Sequence, residues 1–365
     1  MDRCTRCVLP ASYPGITFDE EGVCTYCRAH VRREYLGESR LREVVDRYRR
    51  SDGSYDCIVG LSGGRDSSYL LHYAVKELDL NVLAYTVDNG FIPDQTKLNI
   101  RRMTDLLDVD HITERQNYTR RCIRPFLRSW IRRPSAAMLS SMCVGCRMAM
   151  ALGFLRKARD YEIPLLLTGG GEPEMSFATG FLTMNSADGK SNSLLAGYLR
   201  EMRRNPAYLL SPAFVMTALA EYVCYFSNYS TVKRLIYPAQ KYVPLFHYVE
   251  WDEEEIVSVI TNELDWENYS HSQSTWRSDC KIGLLKNYLY GRTAGFTKHD
   301  ELLSGMIREG MIDRPEALRR VANENVSSER FLVGFLGELG LDRDRLENAL
   351  RGIQPDVEAL RRSTH

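Results

Sequence analysis

Between residues 55 and 185 the chain alternates short β-branched apolar runs with stretches whose apolar residues recur at helical spacing. Residues 55–61 (YDCIVGL) lead into the amphipathic 66–80 (DSSYLLHYAVKELDL), then 81–88 (NVLAYTVD) and the helical 100–109 (IRRMTDLLDV). A cysteine-bearing stretch, a helical 147–160 and 163–170 (IPLLLTGG) complete the series. Such alternation predicts βαβ units, an α/β fold with a parallel sheet.

The flanks read differently. Residues 31–50 combine helical periodicity with dense charge, and a connecting helix is expected over 31–54. Residues 190–235 look like a helical insertion. YVPLFHYV (242–249) and an acidic helix starting near Trp251 return the chain to the α/β region, which is expected to span 55–290. A helical C-terminal region is expected over 291–365, with Asp313, Pro315 and Glu316 as a helix start and Gly340 as a stop.

With 365 residues and 44% hydrophobic content, the chain can bury a sizeable core. Disorder, collagen and coiled coil are excluded as descriptions of the whole. The 48 basic and 48 acidic side chains cancel, which argues against coating nucleic acid through a uniform field and makes tRNA the less favoured substrate. The charge is segregated, however. Residues 101–160 carry 12 Arg and one Lys against five acids, whereas 250–269 carry eight acids and no base. A small anionic substrate is the expected partner; the arginines of 120–133 either bind it or form a solvated helix face. The N-terminal MDRCTRCVLP lacks the apolar stretch of a signal peptide, and 204–233 is too broken by Pro and Asn for a membrane span. A cytoplasmic protein is the expectation.

The sharpest signal is 60–68, Gly-Leu-Ser-Gly-Gly-Arg-Asp-Ser-Ser, between a strand and a strong helix. Gly63 and Gly64 let the backbone turn and approach a ligand, while hydroxyls of Ser62, Ser67 and Ser68 and the helix N-terminus can receive phosphate oxygens. Pyrophosphate binding is implied. A Walker A loop is absent. The same residues fit G-x-S-x-G, a hydrolase nucleophile elbow, with His247, His271 or His299 as candidate bases. That alternative leaves Asp66 and Ser67 without a role. Val87 and Asp88 end one strand, and Thr168 and Gly169 another, so both pairs are expected at the carboxyl edge of the sheet, where open α/β folds bind ligands.

The ten cysteines divide by spacing. Cys4-x2-Cys7-x16-Cys24-x2-Cys27 is the pattern of a four-thiolate Zn²⁺ site, and residues 1–30 are expected to be a zinc-binding module. Cys143-x2-Cys146 supplies only two ligands, with Cys280, Cys122 and Cys224 as candidates to complete a set. Three thiolates with an open position suit a 4Fe–4S cluster, four ligands suit a second Zn²⁺, and a redox dithiol is a third use. Cys57, in a strand, is expected to pack as a small hydrophobe.

Ser62-Gly-Gly-Arg-Asp-Ser67 resembles the SGGxDS motif of the PP-loop (N-type) ATP pyrophosphatases. Along most of its length the chain is similar to their N-acetyl sugar amidotransferase branch, through Cys4-x2-Cys7-Val-Leu-Pro, Pro14–Cys24, Asp56–Gly64, Cys143-x2-Cys146, Trp251, Asp279-Cys280 and Gly295–Ser304. Arg65 stands where that branch commonly has Lys. The N-terminal cysteines, C-x2-C and a distant third cysteine are also similar to iron–sulfur-dependent tRNA thiolation enzymes. The resemblance implies adenylation of a substrate oxygen by ATP with Mg²⁺, release of pyrophosphate, and replacement of AMP by nitrogen or sulfur. Asp66 or Asp88 would hold Mg²⁺, Arg65 would neutralise phosphate charge, and Cys143, Cys146 and Cys280 would form the catalytic cysteine set. A glutaminase or sulfur-donor protein and a second copy of the chain are the implied partners.

Overall fold

The structure, a computed structural model, describes residues 3–169, 194–221, 240–325, 328–351 and 353. Gly170, Cys224 and much of the expected 190–235 insertion lie outside the described residues.

Five strands form one parallel sheet in the order β3-β2-β1-β4-β5: β1 Cys57–Gly60, β2 Val82–Asp88, β3 Asp110–Arg115, β4 Leu165–Thr168 and β5 Lys241–Pro244. The expected α/β parallel-sheet fold is thus the one that forms. β1, β2 and β4 are apolar because helices cover both faces. Edge strand β3, DHITER, is half-exposed, so it lacks the apolar run that would announce a strand in sequence; 110–115 was not among the expected strands.

Helices before and within the sheet are α1 Thr25–Arg28, α2 Glu38–Asp46, α3 Arg65–His72, α4 Asp94–Leu106, α5 Tyr118–Trp130 and α6 Cys146–Asp160. The helix expected over 31–54 is shorter than predicted. Gly37, at φ 84°, precedes α2, and residues 30–37 run without helix.

The insertion contributes α7 Leu194–Arg204 and α8 Pro212–Glu221, and the acidic helix is α9 Glu253–Leu264, capped by Asp252. The C-terminal helices are α10 Lys281–Ala294, α11 Lys298–Glu309, α12 Arg314–Glu324, α13 Glu329–Glu338 and α14 Arg343–Leu350. Asp313 caps α12 and Gly340 follows α13 at φ 62°, both as the sequence signals required.

One core packs β1, β2 and β4 against α2, α3 and α9; another joins the N-terminal cysteines to α5, α10 and α13. The N-terminal segment therefore docks on the C-terminal helices. Tyr13 donates to Glu301 at 2.7 Å, Arg3 pairs with Asp300 at 2.6 Å, and Arg314 donates to the carbonyls of Cys4 and Cys7 at 3.1 Å. Among the described residues no single helix is long and apolar enough to cross a membrane.

Candidate functional site

β1 is followed by β2 on one side and borders β4 on the other, so the connections leave its carboxyl end in opposite directions. Open α/β sheets form their binding crevice at such a switch point. A cavity of about 210 Å³ opens there, lined on one wall by Ser62, Gly64, Arg65, Asp66, Ser67 and Gly169. The opposite wall is Thr275, Trp276, Arg277 and Asp279.

The loop is built by local hydrogen bonds. The Ser62 and Ser67 hydroxyls lie 3.0 Å apart, and the Ser62 hydroxyl accepts from the Gly64 N–H at 3.3 Å. Gly63 adopts φ 78°, and its carbonyl accepts from the Trp266 indole at 3.0 Å. Ser68 is fully buried and donates to the Gly64 carbonyl at 2.8 Å. Gly63 and Ser68 thus stand behind the lining and shape the turn.

Arg65 lines the cavity and is also braced from behind. Its guanidinium turns inward onto Glu253, Thr275 and Asp66, and stacks 4.8 Å over the Trp251 ring. Glu253 is shared with Arg320 at 2.7 Å, and the Trp251 indole donates to Asp66 at 2.9 Å. An arginine with a 1% exposed side chain between two carboxylates is held by those partners, so it braces the first turn of α3.

Two further residues join it at the cavity. Arg277 is exposed at the wall. Asp279 faces the loop so closely that a Cβ on Gly64 would meet its carboxyl at 3.2 Å. Burial pushes the Asp279 carboxyl up, opposed by a Ser62 hydrogen bond and by Arg277, while Asp66 adds a like charge. Both lie in the aperiodic 265–280, where no pattern marks a site; Asp279 entered the sequence reading only through the resemblance.

Val87 and Asp88 end β2 beside the loop but outside the cavity lining, and one Asp88 oxygen is engaged by the Gly90 N–H at 2.7 Å. Thr168 ends β4 next to Gly169, its hydroxyl buried without a hydrogen-bond partner among the described residues. None of His247, His271 and His299 hydrogen-bonds Ser62 among the described residues, whose hydroxyl partners include Ser67 and Asp279. The nucleophile-elbow arrangement does not form.

The cysteines form two groups. Cys4, Cys7, Cys24 and Cys27 are buried with their sulfurs all within 4.8 Å of one another. Backbone N–H groups of Cys7 and Cys24 donate to the Cys4 sulfur at 3.4 and 3.2 Å. Four soft donors, inward and supported by N–H···S bonds, fit a tetrahedral metal ion. Thiol hydrogen bonds from Cys24 and Cys27 hold Cys7 low, while Cys27 is pushed up by its hydrogen bonds with Cys24 and Cys7, as when four thiols share little negative charge.

Cys143, Cys146 and Cys280 come from three elements, yet gather at the carboxyl edge of the sheet. The Asn89 amide, just beyond β2, donates to Cys146 at 3.5 Å and to Cys280 at 3.6 Å, and buried Lys286 donates to Cys143 at 3.7 Å. Their sulfurs do not close to the mutual spacing of the N-terminal four. Burial would raise Cys143, but Lys286 and Arg147 outweigh it and hold the thiol below its ordinary value. Burial pushes Cys146 up to about 11 and Cys280 to about 12, and lowers Lys286 to about 8. Cys122 bonds instead to α8, and Cys57 is buried in β1, packed as expected.

No protein-family model matches the chain. It is 23% identical over 176 residues to an uncharacterised protein of Methanocaldococcus jannaschii, an alignment covering 43% of this chain and 64% of that relative's length. Two solved structures are similar at 13% identity and a TM-score of 0.34: NMN synthetase from Francisella tularensis, over 80% of this chain and 95% of that one, and the U34-tRNA thiolase NcsA from Methanococcus maripaludis with its 4Fe–4S cluster, over 94% and 99%.

Proposed function

We propose that the chain is an AMP-forming, ATP-dependent enzyme that adenylates an oxygen of a small substrate and replaces it with nitrogen, in the manner of the N-acetyl sugar amidotransferases it resembles. The observation that carries this reading is the Ser62–Ser67 loop opening into a cavity at the sheet switch point, with Asp66 and Asp279 facing it.

In this reading the Ser62 and Ser67 hydroxyls and the α3 N-terminus receive the pyrophosphate part of ATP. Asp66 and Asp279 are hard oxygen donors suited to Mg²⁺, which supplies charge neutralisation when bound. The substrate oxygen attacks the α-phosphorus, the bond to pyrophosphate breaks, and pyrophosphate leaves. Ammonia from a glutaminase partner then attacks the activated carbon, and AMP departs with the oxygen. Arg277 stabilises charge on the phosphates, with Arg65 bracing the loop beside it; both steps consist of positioning and electrostatic stabilisation. The N-terminal thiols bind Zn²⁺ as a structural ion.

A second reading is favoured by Cys146 and Cys280 sharing the Asn89 amide, with Cys143 nearby on Lys286: the incoming atom is sulfur, and these thiols hold a 4Fe–4S cluster. Measuring products settles the class. AMP and pyrophosphate should appear with substrate, and Asp279→Asn should abolish them; ADP with phosphate, or unchanged turnover in Asp279→Asn, would sink the adenylation reading. Iron and sulfide analysis after anaerobic purification then separates the two chemistries. A stoichiometric cluster lost in Cys143→Ala supports sulfur, and zinc alone supports nitrogen.

A further inference from the structure

We propose that the outer side of α7, α8 and the turn between them is a docking surface for an anionic lipid bilayer, on which the chain lies without crossing. The 3₁₀ turn Pro206–Leu210 joins the two helices, and its inner side is fixed against α5. The rings of Phe126, Tyr208 and Phe214 have their centroids 5.5–5.9 Å apart. The Ser129 hydroxyl donates to the Ala207 carbonyl at 2.9 Å, and the Asn205 amide to the Ser129 carbonyl at 2.8 Å. With that side sealed, apolar side chains remain on the other. Leu195, Leu199, Leu209, Leu210, Met216 and Leu219 are between 43% and 75% exposed, six of the fourteen large exposed hydrophobics among the described residues. Such clustering marks an interaction surface, whereas single exposed leucines do not.

Charge decides the occupant. Residues 117–136 and 194–220 together hold nine arginines and one acid, Glu201, which is buried. Arg128, Arg132, Arg133, Arg203 and Arg204 are exposed, and Arg133 donates to the Arg204 carbonyl at 2.8 Å, so the cations of α5 adjoin those of α7. Leu195, Leu199 and Arg203 follow one another at intervals of four, which puts apolar and cationic groups on one helix face. An interfacial surface needs both: aliphatic side chains to enter the acyl boundary and cations for the headgroup phosphates. Nucleic acid would call for aromatic rings on which bases stack, and the exposed apolar groups here are aliphatic. A second copy would set arginine against arginine across a two-fold axis. On its inner side α8 approaches Gly145, between Cys143 and Cys146, where a Cβ would meet Thr217 Cγ2 at 2.8 Å. Docking would therefore hold the cysteine edge of the sheet one helix away from the lipid.

Flotation of the full chain with vesicles of phosphatidylcholine and phosphatidylglycerol in equal parts tests it. The chain should float with them, more weakly as salt rises, and at least about threefold less with phosphatidylcholine alone. Leu199→Glu combined with Leu210→Glu should lower binding about tenfold, and Arg128→Gln with Arg203→Gln at least about threefold. All four positions are exposed, so the unfolding midpoint should stay that of the parent, and ATP binding should be unchanged. The docking surface is overturned if the chain does not float, if neutral vesicles bind it equally, or if both double variants float like the parent. RNA binding without flotation would make the arginines a nucleic-acid surface instead. A dimer in sizing chromatography that Leu210→Glu dissociates, again without flotation, would make the leucines a contact between copies; either result sinks the lipid assignment.

Discussion

At Gly63 the chain takes a left-handed turn at φ 78°, and a Cβ there would fall 2.7 Å from Ile100 Cγ1 and 2.8 Å from Thr96 Cγ2. Gly63→Ala therefore meets both backbone strain and a clash with α4, and should cost about 1–3 kcal/mol in urea unfolding while weakening ATP binding. The loop was legible from sequence because it is local: strand, glycines, hydroxyls and helix follow one another within a dozen residues. Arg65 was legible as a loop residue, but its partners were not: Glu253 and Thr275 sit about two hundred residues away, and only folding brings the guanidinium to them. Arg65→Met should remove the counter-charge from Glu253 and Asp66 and destabilise the chain by roughly 3 kcal/mol, less whatever Arg320 retains on Glu253.

Among the elements, α11 shows most clearly what periodicity does not reveal. Its sequence KHDELLSGMIRE carries charge at both ends, yet His299, Asp300, Glu301 and Ser304 are buried, because the N-terminal segment covers one side and α12 another. β3 is the converse, a strand hidden by polar residues on an exposed edge. His299 packs edge-on 5.2 Å from Trp276, and burial lowers it to about 4 against neighbouring carboxylates that oppose the shift. A histidine with a depressed folded pKa binds fewer protons in the native than in the unfolded state between that value and about 6.5. Stability should consequently be intact above pH 6.5 and decline as pH falls toward 4. His299→Gln should flatten that part of the profile, measured as unfolding midpoint against pH.

For the whole molecule, the fold joins the N-terminal cysteines to the last third of the chain. Arg314 grips the carbonyls of Cys4 and Cys7, and on the same helix α12 Arg320 holds Glu253, which in turn holds Arg65 at the phosphate loop. Removing the metal by chelation, or Cys4→Ser, should raise hydrogen exchange in residues 3–27, α11 and α12 together and lower Tm by at least about 5 °C. Exchange confined to residues 3–27 would contradict that linkage.

The same sheet order sets a timetable for synthesis. β1 pairs with β2 within a short stretch of chain, but its other edge waits for β4, with Cys57 opposite Leu165. At ribosomal speeds of about 5–20 residues per second, that edge stays open for roughly 5–20 s. The first thirty residues wait longer still, since α11 and α12 are made near the end. A nascent chain must therefore carry a half-paired central strand until β4 emerges, and a half-covered cluster of thiols through most of its translation, which makes it a natural client for chaperones and sensitive to oxidants before the two ends meet.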